Sequence, residues 1–275
     1  MTLTNQLSTI LLRKKLAKAW EGKPFFIKKD SEESLAETML LASALQPTDS
    51  QVDGQTWHDL DLYRVFDQLN YTQSSIGAEA LYQKMRLIKF QPEASLQELE
   101  DFFDHHPDLR LKVQVVMNQL GKKNHNMARS IVANPGKQDS KIYLSLYIFL
   151  ACLPVFSLFF LPFFKIQAMM VLVASATFNI IFSSIRNWSN KMRLDRVSYL
   201  VRIFASTEKL SHLAIPKQEA LKQAVQPFKK TKVISGILQS PTGSSDMEII
   251  LIYLNFLFLI PQIAQVYIYQ QVRIH

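Results

Sequence analysis

Residues 142–185 read IYLSLYIFLACLPVFSLFFLPFFKIQAMMVLVASATFNIIFSSI and decide the fold. The stretch contains one charged side chain, Lys165, between the uncharged runs Ile142–Phe164 and Ile166–Ile185. About 20 apolar residues with a rise of 1.5 Å each span a hydrocarbon core of roughly 30 Å. The stretch therefore predicts a transmembrane helical hairpin with a turn at residues 162–165. The alternative is a buried helix pair in a large soluble protein, but such helices are usually shorter and more polar.

Basic residues flank the hairpin on both sides: Lys137 and Lys141 before it, and Arg186, Lys191, Arg193 and Arg196 after it. The short turn brings both flanks to one side of the bilayer, and positively charged flanks remain in the cytoplasm. We therefore expect an integral protein of the cytoplasmic membrane with both termini cytoplasmic. The net charge of +8 suits anionic lipid or a nucleic acid, and the lipid bilayer is the first expected partner.

Helical spacing dominates the rest of the chain, and only seven of its 275 residues are glycine. These features predict an all-α fold. The sequence divides into an N-terminal helical segment (1–50), a first cytoplasmic helical core (51–141), the transmembrane hairpin (142–185) and a second cytoplasmic core (186–275). Neither span of the hairpin contains an ionisable residue of the kind that marks a transport pathway, so we interpret it as a tether.

The segment Met247–Tyr269 is also apolar, and we interpret it as one core helix of the second cytoplasmic block. A third span is the alternative. The polar and helix-breaking residues of the segment argue against that reading: Glu248, Asn255, Pro261, Gln262 and Gln265.

Two patterns in the first half of the chain indicate helix starts. Asp30 and Glu33 resemble a capping box before an apolar helix. Farther along, the segment Asn70–Gly77 reads NYTQSSIG between two runs with helical spacing. Its hydroxyl groups can cap the helix that follows, and Gly77 permits a close approach of the backbone.

Residues 57–61 (WHDLD), followed by residues 70–77, resemble the opening of the core "lever" region of MutS-type mismatch-repair proteins. Residues 94–99 (ASLQEL) through 106–110 (HPDLR) resemble the acidic, Leu-spaced segment that comes next in that family. The resemblance covers residues 55–120 well and 190–260 loosely. It is closest to a membrane-associated branch, and it implies an elongated, lever-like helical bundle interrupted by the transmembrane hairpin.

Two family features are missing from this sequence. No Phe-x-Glu motif of the mismatch-reading type occurs, and no Gly-x-x-x-x-Gly-Lys-Ser/Thr phosphate loop occurs. Gly236 and Gly243 lack the Lys-Ser/Thr that would have to follow. We therefore expect no enzyme activity, no catalytic or cofactor-binding residues and no cofactor. We also expect a chain truncated or split from the ATPase domain of that family.

Two further clusters could carry chemistry. His105 and His106, beside Asp101 and Asp104, could suggest a metal site, but adjacent histidines at a helix end point in different directions. We interpret them as a solvated helix end and expect no metal. The lysines at 122–123 and at 229, 230 and 232 could contact phosphates, although neither cluster has interleaved aromatic residues.

The sequence thus leads to one main hypothesis, a membrane-anchored, non-catalytic helical scaffold that resembles the lever region of a MutS-like ATPase. Its expected partners are the bilayer and either an ATPase-bearing protein or a second copy of the chain. The alternatives are a free-standing membrane adaptor that binds a protein, and a DNA-binding module that makes weak contacts through basic helices.

Overall fold

A computed structural model describes residues 3–20, 28–45, 50–90, 94–133, 141–189, 191–228 and 246–274. Within these ranges the chain is almost entirely helical, which confirms the predicted all-α class. The helices are α1 (Leu3–Trp20), α2 (Glu32–Leu45), α3 (Gly54–Asp59), α4 (Leu62–Leu69), α5 (Ser75–Arg86), α6 (Ala94–His105), α7 (Pro107–Leu120), α8 (Ala128–Ala133), α9 (Lys141–Phe160), α10 (Lys165–Ser189), α11 (Lys191–Ser211), α12 (Gln218–Val225), α13 (Asp246–Leu257) and α14 (Ile260–Ile274), with a 3₁₀ turn at Gln226–Phe228. Two short strands, β1 (Ser50–Gln51) and β2 (Leu87–Ile88), pair antiparallel.

The chain forms two compact units. The first unit consists of Met1–Arg129 and Ile203–Gln226, and the hairpin unit consists of Ser130–Arg202 and Pro227–His275. The second cytoplasmic block of the sequence interpretation, residues 186–275, therefore contributes to both units.

Aromatic residues from three helices form the core of the first unit. Tyr82 on α5 lies edge-on to Trp57 of α3, with ring centroids 5.0 Å apart, and to Phe66 of α4 at 5.4 Å. All three side chains are buried. Arg86 closes the cluster, because its guanidinium lies 5.3 Å from the centre of the Trp57 ring and donates a 3.0 Å hydrogen bond to the carbonyl of Val52. Edge-to-face rings and a stacked guanidinium add specific attraction to the burial of apolar area.

The hairpin unit contains the predicted pair of apolar helices, α9 and α10, joined by a turn at residues 161–164. Ile142–Phe160 and Lys165–Arg186 are both long and apolar enough to cross a membrane. Their 19 and 22 residues correspond to about 29 and 33 Å of helix. Most of their large apolar side chains are exposed, as in helices that contact lipid. The predicted hairpin is confirmed at this level.

The apolar segment near the C-terminus is not the single helix that we expected. It forms two helices, α13 and α14, whose axes differ by 62° across a break at residues 258–259. Leu259 has a φ of 51°, which an L-residue with a large side chain rarely adopts. Pro261 accounts for the break, since it cannot donate to the carbonyl four residues earlier and its ring clashes with a continuous helix.

Candidate functional site

The start of α5 is fixed by the loop that precedes it, residues 70–74. Asn70 Oδ1 accepts hydrogen bonds from the N–H of Thr72 at 3.3 Å and from its hydroxyl at 2.6 Å. Ser74 has an extended backbone, and its hydroxyl accepts from the N–H of Gly77 at 3.4 Å, which caps α5. A Cβ at position 77 would lie 3.2 Å from the Cβ of Thr72. The predicted cap and the predicted close approach at Gly77 are both confirmed.

An ion pair lies buried beneath this loop. Lys122 Nζ is 3.0 Å from Asp30 Oδ2 and donates a 2.9 Å hydrogen bond to the hydroxyl of Thr72. The side chains of Asp30 and Lys122 are 1% and 4% exposed. Ser75, the first residue of α5, donates to Asp30 Oδ1 at 2.5 Å and accepts from the N–H of Lys123 at 2.7 Å. This buried network therefore joins the chain before α2, the start of α5 and the segment after α7.

Burial sets the electrostatics of the network. Loss of water lowers the pKa of Lys122, because the charged ammonium is the form that burial disfavours, and the nearby carboxylate of Asp30 opposes that shift. A charge in such a place is tolerated only when it is paired and hydrogen-bonded. The position of the loop at 70–74 thus depends on both partners, since Lys122 holds Thr72 directly.

A second buried acid lies one turn farther along α5. Glu79 Oε1 accepts a 2.6 Å hydrogen bond from Asn126, whose own Oδ1 accepts from the N–H of Ala128 at 3.0 Å. Burial raises the pKa of Glu79, while the hydrogen bond from Asn126 and the charge of Arg129 oppose that shift. The acid therefore favours its neutral form more than an exposed glutamate does, and it fixes the segment at residues 126–128 against α5.

An open cleft of about 440 Å³ lies on the outer side of the same loop. Its walls combine the loop, the start of α5 and one face of α7: Tyr71, Thr72, Gln73, Ser74, Ile76, Gly77, Val113, Gln114 and Met117. The cleft is lined by apolar groups with a few hydroxyl and amide groups, and its volume is within the range of ligand pockets. Gln73 is held in place because its Oε1 accepts a 2.8 Å hydrogen bond from Asn118. The lining can therefore offer both apolar contact and hydrogen bonds to a small group.

The histidines at the end of α6 show no metal-binding geometry. The Nδ1 atoms of His105 and His106 lie 2.7 and 2.8 Å from carbonyls of α6, those of Asp101 and Phe102. His106 also stacks on the ring of Phe102. Among the described residues, no three His, Cys, Asp or Glu side chains come together as metal ligands.

The structure describes one of the two basic clusters. We expected both lysines at 122–123 to be able to contact phosphates, but this is wrong for Lys122, whose ammonium is buried against Asp30. The lysines at 229, 230 and 232 lie outside the described residues. The exposed basic side chains of the first unit include those of α1: Arg13, Lys14, Lys15 and Lys18.

The role that we predicted for Asp30 was wrong. We interpreted it with Glu33 as a capping box, but α2 begins at Glu32 and the hydroxyl of Ser31 accepts from the N–H of Ser34 at 3.4 Å. Asp30 instead pairs with Lys122, 92 positions away in the chain. No local pattern predicts this contact. The only local hint of a special role for Lys122 was its position directly after Gly121. Gly121 ends α7 and has a φ of 73°.

Protein-family models, curated proteins and solved structures were compared with this chain, and none of them matches it. The resemblance to MutS-type proteins therefore rests on the motifs at residues 57–61, 70–77 and 94–110 alone.

Proposed function

We propose that this chain is a membrane-anchored, non-catalytic helical scaffold that presents the cleft beside α5 and α7 to a protein partner. The observation that carries the proposal is that one chain combines two helices long enough to cross a membrane with a separately compact helical unit. The cleft belongs to that unit, and a buried polar network holds its loop in place. In the proposal the hairpin lies in the cytoplasmic membrane, with both of its flanks in the cytoplasm.

The resemblance to the MutS lever is what supports the partner that we propose. The chemistry of that family resides in an ATPase domain, so a lever-like scaffold is expected to act with an ATPase-bearing protein. Six of the resembling residues 70–77 line the cleft, together with residues of α7. A second copy of the chain is the alternative partner. The DNA-binding alternative loses support, since Lys122 is buried and half of one basic cluster cannot reach a phosphate.

A photo-crosslinking amino acid in the cleft tests the proposal in the native host membrane. Gln114 lines the cleft, whereas Lys112 is exposed on the same helix and does not line it. We expect a discrete adduct from position 114 that is missing from position 112, and we expect mass spectrometry to find an ATPase domain in the captured protein. An adduct with a second copy would favour the homodimer. Equal adducts from both positions, or none, would contradict a binding role for the cleft.

A further inference from the structure

Asn179, on the apolar helix α10, occupies a position that links three helices. The side chain is 1% exposed, although it lies within one of the two candidate membrane spans. Its Nδ2 donates one hydrogen bond to the carbonyl of Leu150 on α9 at 2.8 Å and another to the carbonyl of Leu257 on α13 at 3.0 Å. Both N–H groups of one amide are therefore used on two neighbouring helices.

The two acceptor carbonyls share one property. Each stands four residues before a proline: Leu150 before Pro154, and Leu257 before Pro261. A proline has no N–H, so it cannot make the helical hydrogen bond to the carbonyl four residues earlier. In hydrocarbon, where water cannot replace that bond, such a carbonyl needs a donor from elsewhere in the protein. Asn179 supplies the donor for both.

The contact lies deep in the hairpin. Leu150 is next to the midpoint of the span Ile142–Phe160, and Asn179 is about 5 Å from the midpoint of its own span. The break between α13 and α14 therefore reaches the level of the hydrocarbon centre of the hairpin. From the break, α14 packs toward the basic end of the hairpin, since Leu259 and Val266 form one buried cluster with Tyr147.

Among the described side chains, α14 directs a polar group toward the hairpin and α13 directs apolar groups outward, as expected of a membrane-embedded segment. Gln262 on α14 is 5% exposed, and its Nε2 donates hydrogen bonds of 3.1 and 3.4 Å to the hydroxyl and the carbonyl of Ser183 on α10. From residue 250 onward, where its side chains are described, the exposed large side chains of α13 are Ile250, Leu251, Tyr253 and Leu254. Polar groups inside and apolar groups outside are the reverse of a water-exposed helix and match helix packing in lipid.

We propose that α13 and α14 form a third, broken membrane segment, held on the hairpin by Asn179 and covered on its outer face by lipid acyl chains. The sequence interpretation placed this segment in a cytoplasmic core because of its glutamines and its proline. The packing gives those residues a different role, since Gln262 and the carbonyl freed by Pro261 both bond to α10. The segment would thus enlarge the anchor from two helices to a bundle of three elements.

Spin labels on the full chain in vesicles of phosphatidylcholine and phosphatidylglycerol test the depth of α13. The single cysteine, Cys152, is first changed to alanine, and one new cysteine is placed at Leu251 or Leu254. Val173 on α10 is the lipid reference, and Leu69 on α4 is the aqueous reference; both are 56% exposed. Oxygen, which partitions into lipid, should relax the labels at 251 and 254 as strongly as at 173, whereas a water-soluble nickel complex should relax only the label at 69.

The references separate two kinds of failure. If the labels at 251 and 254 behave like the label at 69 while 173 reports lipid, the third segment is refuted and the hairpin anchor stands. If the label at 173 also reports water, the membrane anchor itself fails, and the proposed function fails with it.

Replacement of Asn179 tests whether its two hydrogen bonds hold the segment on the hairpin. Asn179→Leu keeps a side chain of similar size and removes both donors, so the equilibrium constant for unfolding the bundle in dodecyl sulfate should rise by about tenfold, the effect of two interhelical hydrogen bonds. Ser184→Leu is the matched control on the same helix, because Ser184 is exposed and its hydroxyl bonds only its own helix, at the carbonyl of Ile180. Equal resistance of the two variants would overturn the role of Asn179.

Discussion

Removal of one partner of the buried ion pair should destabilise the first unit far more than removal of both. At 3.0 Å and an effective dielectric constant of about 20, Asp30 and Lys122 attract each other by about 5–6 kcal/mol. Loss of hydration offsets most of that gain, so the pair as a whole contributes little net stability. If Lys122 is replaced by methionine, Asp30 keeps its bond from Ser75 but remains a buried charge without a counterion, and the expected loss is about 3–5 kcal/mol.

The double variant distinguishes a buried unpaired charge from the loss of the ion pair as a whole. Asp30→Asn keeps an acceptor for Ser75, so we expect Asp30→Asn with Lys122→Met to lose only about 1 kcal/mol. The two single losses should therefore fail to add by several kcal/mol. The exposed pair of Lys29 and Asp67 is the matched control, and Lys29→Met should cost no more than about 1 kcal/mol.

Urea unfolding of the full chain in detergent micelles measures these losses. Trp20 and Trp188 are first changed to phenylalanine, which leaves Trp57 as the reporter; its side chain is 3% exposed in the core of the first unit. Single-variant losses below about 1 kcal/mol, or a double-variant loss equal to the sum of the singles, would refute the reasoning.

The other predictions concern Glu79, Gly77 and nucleotide hydrolysis. Burial raises the pKa of Glu79 above its ordinary value of 4.5, so its contribution to stability is greatest below pH 4.5 and falls as the pH rises through the raised pKa. Glu79→Gln keeps the acceptor for Asn126, so over that pH range its free energy of unfolding in urea titrations should rise relative to that of the wild type. A difference in unfolding free energy that does not change with pH would contradict the assignment. Gly77→Ala should cost about 1 kcal/mol, because the close contact with the hydrogen-bonded Thr72 outweighs the helix preference for alanine, whereas Gly54→Ala, with no atom within 4 Å, should be neutral or stabilising. The purified chain should hydrolyse no nucleotide above background; robust turnover in a phosphate-release assay would overturn the non-catalytic proposal.

The hairpin and the α5 cap were predictable from the sequence because both depend on local information. Two long uncharged runs separated by Lys165 leave little choice of structure in a chain of this composition. The cap at Ser74 and the close approach at Gly77 also follow from residues within one helical turn. In both places the structure follows from residues that are close together in the sequence.

The buried polar contacts were not predictable because they join distant parts of the chain. Asp30 had a plausible local role as a capping residue, and the pairing with Lys122 depends on how three distant segments pack together. The contacts of Asn179 are only partly indicated by the sequence. A single asparagine in an apolar span, together with prolines in two apolar segments, indicates a donor and two acceptors. The sequence does not say that these meet.

The most direct test of the membrane anchor is the side of the membrane from which three positions react. Single cysteines at Leu69, Phe163 and Ala224, in a Cys152→Ala background, are treated with a membrane-impermeant maleimide in right-side-out and inside-out vesicles. Position 163 lies in the turn of the hairpin, and the other two belong to the first unit. We expect positions 69 and 224 to react only in inside-out vesicles and position 163 to react only in right-side-out vesicles. Reaction of all three positions from one side would contradict a hairpin that crosses the membrane.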